Sequence, residues 1–272
     1  MKLKSKKLWW ISFLVLIVLG IIVFFVLSLP TFGGNISGER LKRVQENQQY
    51  KDGRFTNVEP QSPFNFSEIG SYITKMFFYD EIRIPPSKIP VISVLNSSLK
   101  ILNSSTLRAF WIGHASVYVE IDGIRILIDP VFSDYASPFD FGPKRFHPPP
   151  ITLQDLPKID AVVISHDHYD HLDMETITHL SKNETIFFVP LGIGAHLEKW
   201  GVSKKQIHEL EWWQDQMVGK IRIICTPNRH YSGRGLTDYK ATLWSSWTVI
   251  GPKHSFYYSG DTGYSKHFKE IG

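Results

Sequence analysis

The chain has 272 residues, 43% of them hydrophobic and 21% charged, which excludes a disordered or fibrous protein and leaves room for a sizeable core. Its one cysteine, Cys225, excludes a disulfide within the chain and any cysteine-based zinc finger. The net charge of +4 is local: Lys2, Lys4, Lys6 and Lys7 precede every acidic residue, and without them 26 basic side chains face 26 acidic ones. The body is therefore close to neutral and lacks the basic surface that a nucleic-acid partner favours.

Residues 8–29 carry no charge, and as a helix they would span roughly 33 Å, close to the hydrocarbon thickness of a bilayer. Trp9 and Trp10 sit at the start, where amphipathic rings favour the membrane interface. A cleavable signal peptide is the competing reading. The run is long for a signal core and has no clean small-x-small cleavage site, so residues 1–29 are expected to be an uncleaved anchor. The leading lysines favour a cytoplasmic amino terminus and an extracytoplasmic body, with Arg40, Lys42 and Arg43 as weak opposition.

Residues 30–107 alternate polar, Pro- and Gly-rich pieces with short apolar ones at 72–79 and 91–95. They read as a tether and lead-in lying against the main domain, with Asn47, Gln48, Gln49 and 51–54 as solvated surface. From 108 to 272 the texture is that of an α/β domain. Residues 109–121 read as one strand, Asp122-Gly123 as a hairpin turn, and 124–128 as the returning strand. A loop rich in Pro, Gly and aromatics fills 132–150. The wholly apolar run 161–164 suits a strand buried on both faces. Asp173 is placed to cap a helix reaching about residue 182. Strands at 185–189 and 220–225 flank a helix at 195–200, and 242–250 pairs with 255–258. Alternating strands and helices argue for an α/β sandwich.

Three histidines and three aspartates fall within 166–173, directly after the apolar strand. Imidazole nitrogens and carboxylate oxygens at short spacing are the ligands that zinc or a similar divalent ion takes. On an extended turn His166 and His168 point the same way. Asp170 and His171 then reach a second position, and two ions about 3.5–4 Å apart would form a dinuclear hydrolytic site. Two later strand ends offer further ligands: His230 after 220–225, and Asp261 on a glycine-flanked turn after 255–258. Each is weak alone and gains weight because the first motif demands partners.

The His-x-His-x-Asp-His pattern at 166–171 resembles the metallo-β-lactamase superfamily. Within it, Trp111-Ile112-Gly113-His114-Ala115-Ser116, Ile128-Asp129-Pro130-Val131-Phe132, Trp212-Trp213, 226–235, Thr242-Leu243-Trp244 and Ser259-Gly260-Asp261-Thr262-Gly263 resemble the N-acylphosphatidylethanolamine-hydrolysing phospholipase D family. The resemblance covers about residues 32–272. It implies a four-layer αββα fold with two zinc ions between the sheets, one held by His166, His168 and His230, the other by Asp170 and His171, with Asp261 bridging. It further implies a membrane-tethered hydrolase whose metal-bridging hydroxide attacks a phosphodiester of a phospholipid. A lactonase or esterase of the same fold is the alternative, given Gly113-His114-Ala115. The superfamily supplies one more histidine beyond the Gly-Asp-Thr-Gly turn. The sequence ends at Gly272, in a helix starting near Tyr264, so the C-terminal part of the fold is expected to be missing. The second metal is then expected to be incompletely held and the chain, as a third alternative, inactive. His267, on that helix, is not expected to substitute. Asp173 either orients a ligand histidine or only caps its helix, Tyr169 faces the substrate or packs, and His114 lies near the site or is a core histidine.

Overall fold

A computed structural model describes residues 2–60, 70, 71, 74, 84–93, 99 and 105–272. The apolar pieces at 72–79, apart from Thr74, and at 94–95 lie outside the described residues. Helix α1 (Lys2–Leu27) includes Trp9–Leu27, a stretch long and apolar enough to cross a membrane and with none of it buried in the protein.

The N-terminal part of the body folds onto the rest. Helix α2 (Gly38–Glu46) and the small hairpin β1 (Tyr50–Lys51) and β2 (Arg54–Phe55) bury Val44 and Phe55 against Leu191, Leu243 and Trp244. Arg40 bridges Glu198 and Glu209 at 2.6 and 2.7 Å. Asn47, expected in solvent, is buried and donates to Glu211 at 2.8 Å.

Six strands form the larger sheet: β3 (Leu107–Gly113), β4 (Ser116–Ile121), β5 (Ile124–Ile128), β6 (Ala161–Val163), β7 (Ile186–Pro190) and β8 (Ile207–Leu210), in chain order. The first three pair antiparallel, and β5 to β8 run parallel. The single strand expected at 109–121 is two. The chain reverses at His114, which adopts φ +48°, and Ser116 pairs with Gly113. β-Formers run through this turn, so periodicity alone does not reveal it. At Asp122-Gly123 both residues take positive φ, the geometry of a two-residue hairpin turn.

The second sheet holds β9 (Asp215–Val218), β10 (Ile221–Thr226), β11 (Ser246–Ile250) and β12 (Ser255–Tyr258), all antiparallel, in the order β12-β11-β10-β9. Strand β11 starts four residues later than expected, because 242–245 bond instead to other segments, Leu243 N to Leu191 O and Ser245 N to Ser165 O. Alternation along the strands divides the core, since successive side chains face opposite sides of a sheet. Val119, Ile126, Ile128, Ala161, Val163 and Phe188 meet Ile221, Ile223, Trp247 and Val249 between the sheets. Tyr118, Leu127, Val162, Phe187 and Val189 face the other way, onto α3 (Met174–Leu180) and α4 (Gly194–Lys199). Beside the second sheet, Phe268 of α5 (His267–Ile271) stands 6.3 Å from the Tyr257 ring. Helix α5 begins three residues beyond the Tyr264 start read from the sequence.

Candidate metal centre

Fully buried β6 runs straight into Ser165 and His166. The next residues fold back in a turn, with His171 N and Leu172 N both donating to His168 O at 3.0 and 2.8 Å. Strand β10 delivers His230, and β12 delivers Asp261. Gly260 lets that last segment approach: φ is +57°, and a Cβ there would lie 2.7 Å from Ser165 Cβ.

These strand ends bring the six expected ligand residues together. His166 Nε2 stands 2.9 Å from His168 Nδ1, which is 3.4 Å from His230 Nε2. His171 Nε2 lies 3.4 Å from Asp261 Oδ2 and 3.8 Å from Asp170 Oδ2. Asp261 Oδ2 is also 4.0 Å from His230 Nε2, so its carboxylate stands between the two groups. His114 joins the second group, with Nε2 2.9 Å from Asp170 Oδ2.

Asp129, which the sequence placed in a motif without a role, organises this cluster from below. It is fully buried and accepts from Ser165 N, Ser165 Oγ, His171 Nδ1 and Tyr258 OH at 2.6, 2.5, 2.7 and 2.8 Å. Because the Ser165 hydroxyl donates to Asp129, its oxygen is left to accept from His166 Nδ1 at 2.9 Å. One carboxylate thereby fixes both imidazoles with Nε2 turned into the cluster, the usual way a ligand histidine is oriented. The signal in the sequence is Asp129-Pro130 at the end of a buried strand. Asp167, between two expected ligands, points away and accepts from Gly233 N and Thr242 Oγ1 at 2.7 and 2.8 Å, with His196 Nε2 at 3.4 Å. Burial opposes its charge, yet His196 and these donors pull its pKa down to about 2.

The electrostatics divide the cluster. Burial, reinforced by neighbouring imidazoles, holds His166 well below the ordinary range and brings His230 down to about 4; burial also lowers His168. His171 goes the other way: burial disfavours its charge, but the Asp129 and Asp261 carboxylates push it up to about 10. Burial also opposes charge on Asp170, and His114 and His171 outweigh it, holding that carboxyl well below the usual range. Asp261 is lowered by His171 first, against burial.

A metal fits this set. Three imidazoles converge, and His171 Nε2 is buried with no hydrogen bond among the described residues, its neighbour Asp261 Oδ2 standing 3.4 Å away. A buried polar atom is costly to leave unpaired, and a cation is what nitrogen lone pairs and carboxylate oxygens satisfy together. Two of the weaker expectations part from the site. Asp173 accepts from Glu175 N, Thr176 Oγ1, Ser133 Oγ and the amides of Phe132 and Ser133, capping α3 and pinning the 131–133 loop. None of these bonds reaches a ligand histidine. Tyr169 donates to Arg234 O at 2.9 Å under the Arg234 guanidinium, so it packs. Beside His114 and Asp170 a groove of about 490 Å³ opens, walled by Trp111, Val131 and Phe146.

This arrangement defines a metal-dependent hydrolase class, and the family model for the beta-lactamase superfamily domain matches residues 124–272: the chain belongs to that superfamily. Its sequence similarity runs to the N-acylphosphatidylethanolamine-hydrolysing phospholipase D-like branch. It is 41% identical over 198 residues to N-acyl-phosphatidylethanolamine-hydrolyzing phospholipase D 1 of Caenorhabditis elegans, covering 66% of this chain and 56% of that one. An uncharacterized protein of Mycobacterium tuberculosis is 44% identical over 232 residues, covering 84% of this chain and 61% of that one. The chain thus spans about three fifths of the length of these relatives. Among solved structures, Igni18, a metallo hydrolase from Ignicoccus hospitalis, is similar with a TM-score of 0.47 at 24% identity, over 61% of this chain and 65% of that one.

Proposed function

We propose that this chain is a membrane-tethered, zinc-dependent phosphodiesterase of the phospholipase D type, acting on N-acylphosphatidylethanolamine-like lipids. The observation that carries the reading is the meeting of six ligand side chains from three strand ends between the sheets. His166, His168 and His230 would hold one zinc, Asp170 and His171 the other, and Asp261 would reach both. Held there, zinc would supply an acidified water, its pKa brought to about 7, and a Lewis acid for the group under attack.

The chain's own residues do the rest. Burial keeps three imidazoles unprotonated at neutral pH, so protons do not compete for them. Asp129 and Ser165 hold two of the rings in register. The Tyr258 hydroxyl, whose pKa is pushed up by burial and by Asp129, stays a neutral donor and braces the same carboxylate. The groove walled by Trp111 and Phe146 gives an acyl chain an apolar surface next to Asp170. Helix α1 is read as a single-pass anchor with its lysines in the cytoplasm and the catalytic domain outside. Protease accessibility of residues beyond 30 in intact cells checks that orientation, and full protection contradicts it.

The activity is tested by product analysis. The full chain loaded with zinc is given N-acylphosphatidylethanolamine in mixed micelles, and mass spectrometry follows the products. N-acylethanolamine and phosphatidic acid are expected. An intact phosphodiester alongside hydrolysis of a lactone or carboxylic ester transfers the fold to the esterase reading.

A further inference from the structure

The apolar helix leads into a segment that is clamped to the domain. Trp200 Nε1 donates to Pro30 O at 2.7 Å, Arg234 donates twice to Thr31 O at 3.1 and 2.9 Å, and Lys199 Nζ donates to Gly33 O at 2.8 Å. Gly34 N donates to His196 Nδ1 at 3.0 Å. The fit is close enough that a Cβ on Gly34 would lie 2.1 Å from Ala195 O. Arg234 also donates to Asp167 O and Leu172 O, at either end of the ligand-bearing turn. The point where α1 ends is thus fixed relative to the histidine cluster by short, partly buried contacts.

Around that exit several large apolar side chains are exposed among polar ones. Phe32, five residues past the end of α1, packs its ring 6.2 Å from Phe139, which stacks on Phe141 at 5.1 Å. Phe141 is 67% exposed. On another side, Leu236, 81% exposed, lines the same hollow as Leu27 and Ser28. The loop that carries Phe141 continues to Phe146, also exposed, at the mouth of the groove beside His114 and Asp170. Charge does not define a partner here, since Lys144 in this loop pairs with Asp134 at 3.5 Å. Exposed apolar side chains gathered in one area mark a contact surface, and bulky rings beside the end of a spanning helix sit where aromatic belts form.

We propose that Phe141, Phe146 and Leu236 are seated in the interface of the bilayer from which α1 emerges, so that the groove opens onto the lipid surface. The partner is a phospholipid bilayer, engaged through apolar side chains rather than headgroup charge. This rests on the reading of α1 as membrane-spanning. A domain held in this pose receives a lipid substrate from the membrane plane, beside the ligands Asp170 and His171.

The single native cysteine makes the test clean, because Cys225 is fully buried and a spin label goes to an introduced thiol. The full chain carrying Leu19→Cys, Phe141→Cys, Leu236→Cys or Met217→Cys is labelled with a nitroxide and reconstituted in phosphatidylcholine vesicles. Accessibility to oxygen is compared with accessibility to a polar nickel complex. Met217, exposed on the edge strand β9, serves as the water reference. Labels at 19, 141 and 236 are expected to favour oxygen and the label at 217 to favour nickel. Labels at 141 and 236 that match 217, with 19 still in lipid, overturn the proposed surface and leave the membrane anchor standing. A label at 19 in water removes both.

Discussion

His166, His168 and His230 meet as neutral, largely buried imidazoles, whereas Asp170, His171 and Asp261 meet as charges with their carboxylates open to solvent. The first group is held apart from protons by burial, as the proposed role of receiving a cation requires. In the second group a proton on His171 balances Asp129 and Asp261 until a cation replaces it. Two halves of one centre, a few ångströms apart, therefore answer differently to pH and to substitution.

Removing one ligand gives the largest expected effect. His230→Ala is expected to lose one of two bound zinc ions by elemental analysis and to bring hydrolysis to background; two retained ions would show that His230 is no ligand. Next comes Asp129→Asn, which keeps the shape and loses acceptors for His171 and Ser165. A fall of about 10- to 100-fold in metal affinity, measured by chelator competition, is expected. Unchanged affinity would mean that the rings need no such support.

The pH prediction separates the halves by sign. His171, raised to about 10, carries a proton at pH 8, so loading the carboxylate half is expected to release one more proton per ion than loading the three-histidine half, whose side chains give up none. Calorimetry in buffers of different ionisation heat reads this difference directly, and equal release from both halves contradicts it. In the metal-free chain the same shift stabilises the fold below the unfolded pKa of 6.5. That contribution is lost as pH rises towards 10, which thermal melts across this window detect. The smallest effect belongs to Asp173→Ala. Loss of its cap is expected to cost about 1–2 kcal/mol of stability with zinc content unchanged, and a lost ion would return Asp173 to the centre.

Much of this was legible because the chemistry is dense along the chain. The apolar run before Ser165, the Asp122-Gly123 turn and the Asp173 cap are all local signals, and each stands where it was expected. Strands β8 and β9 leave no such signal, since Ile207-His208-Glu209-Leu210 and Asp215-Gln216-Met217-Val218 are edge strands with polar residues and no clear alternation. Asp129 carried no role because its partners Ser165, His171 and Tyr258 are 36 to 129 residues away in sequence. The docking of Val44 and Phe55 against Trp244 was hidden for the same reason: only the tertiary fold brings residues so far apart into contact.

Whether these side chains grip two cations is decided by anomalous diffraction from zinc-loaded crystals of the full chain. One peak is expected at about 2.0–2.1 Å from nitrogens of His166, His168 and His230. A second peak is predicted against Asp170 and His171, with an Asp261 oxygen reaching both. Zinc found elsewhere, or no peak within bonding distance of the three histidines, would contradict it.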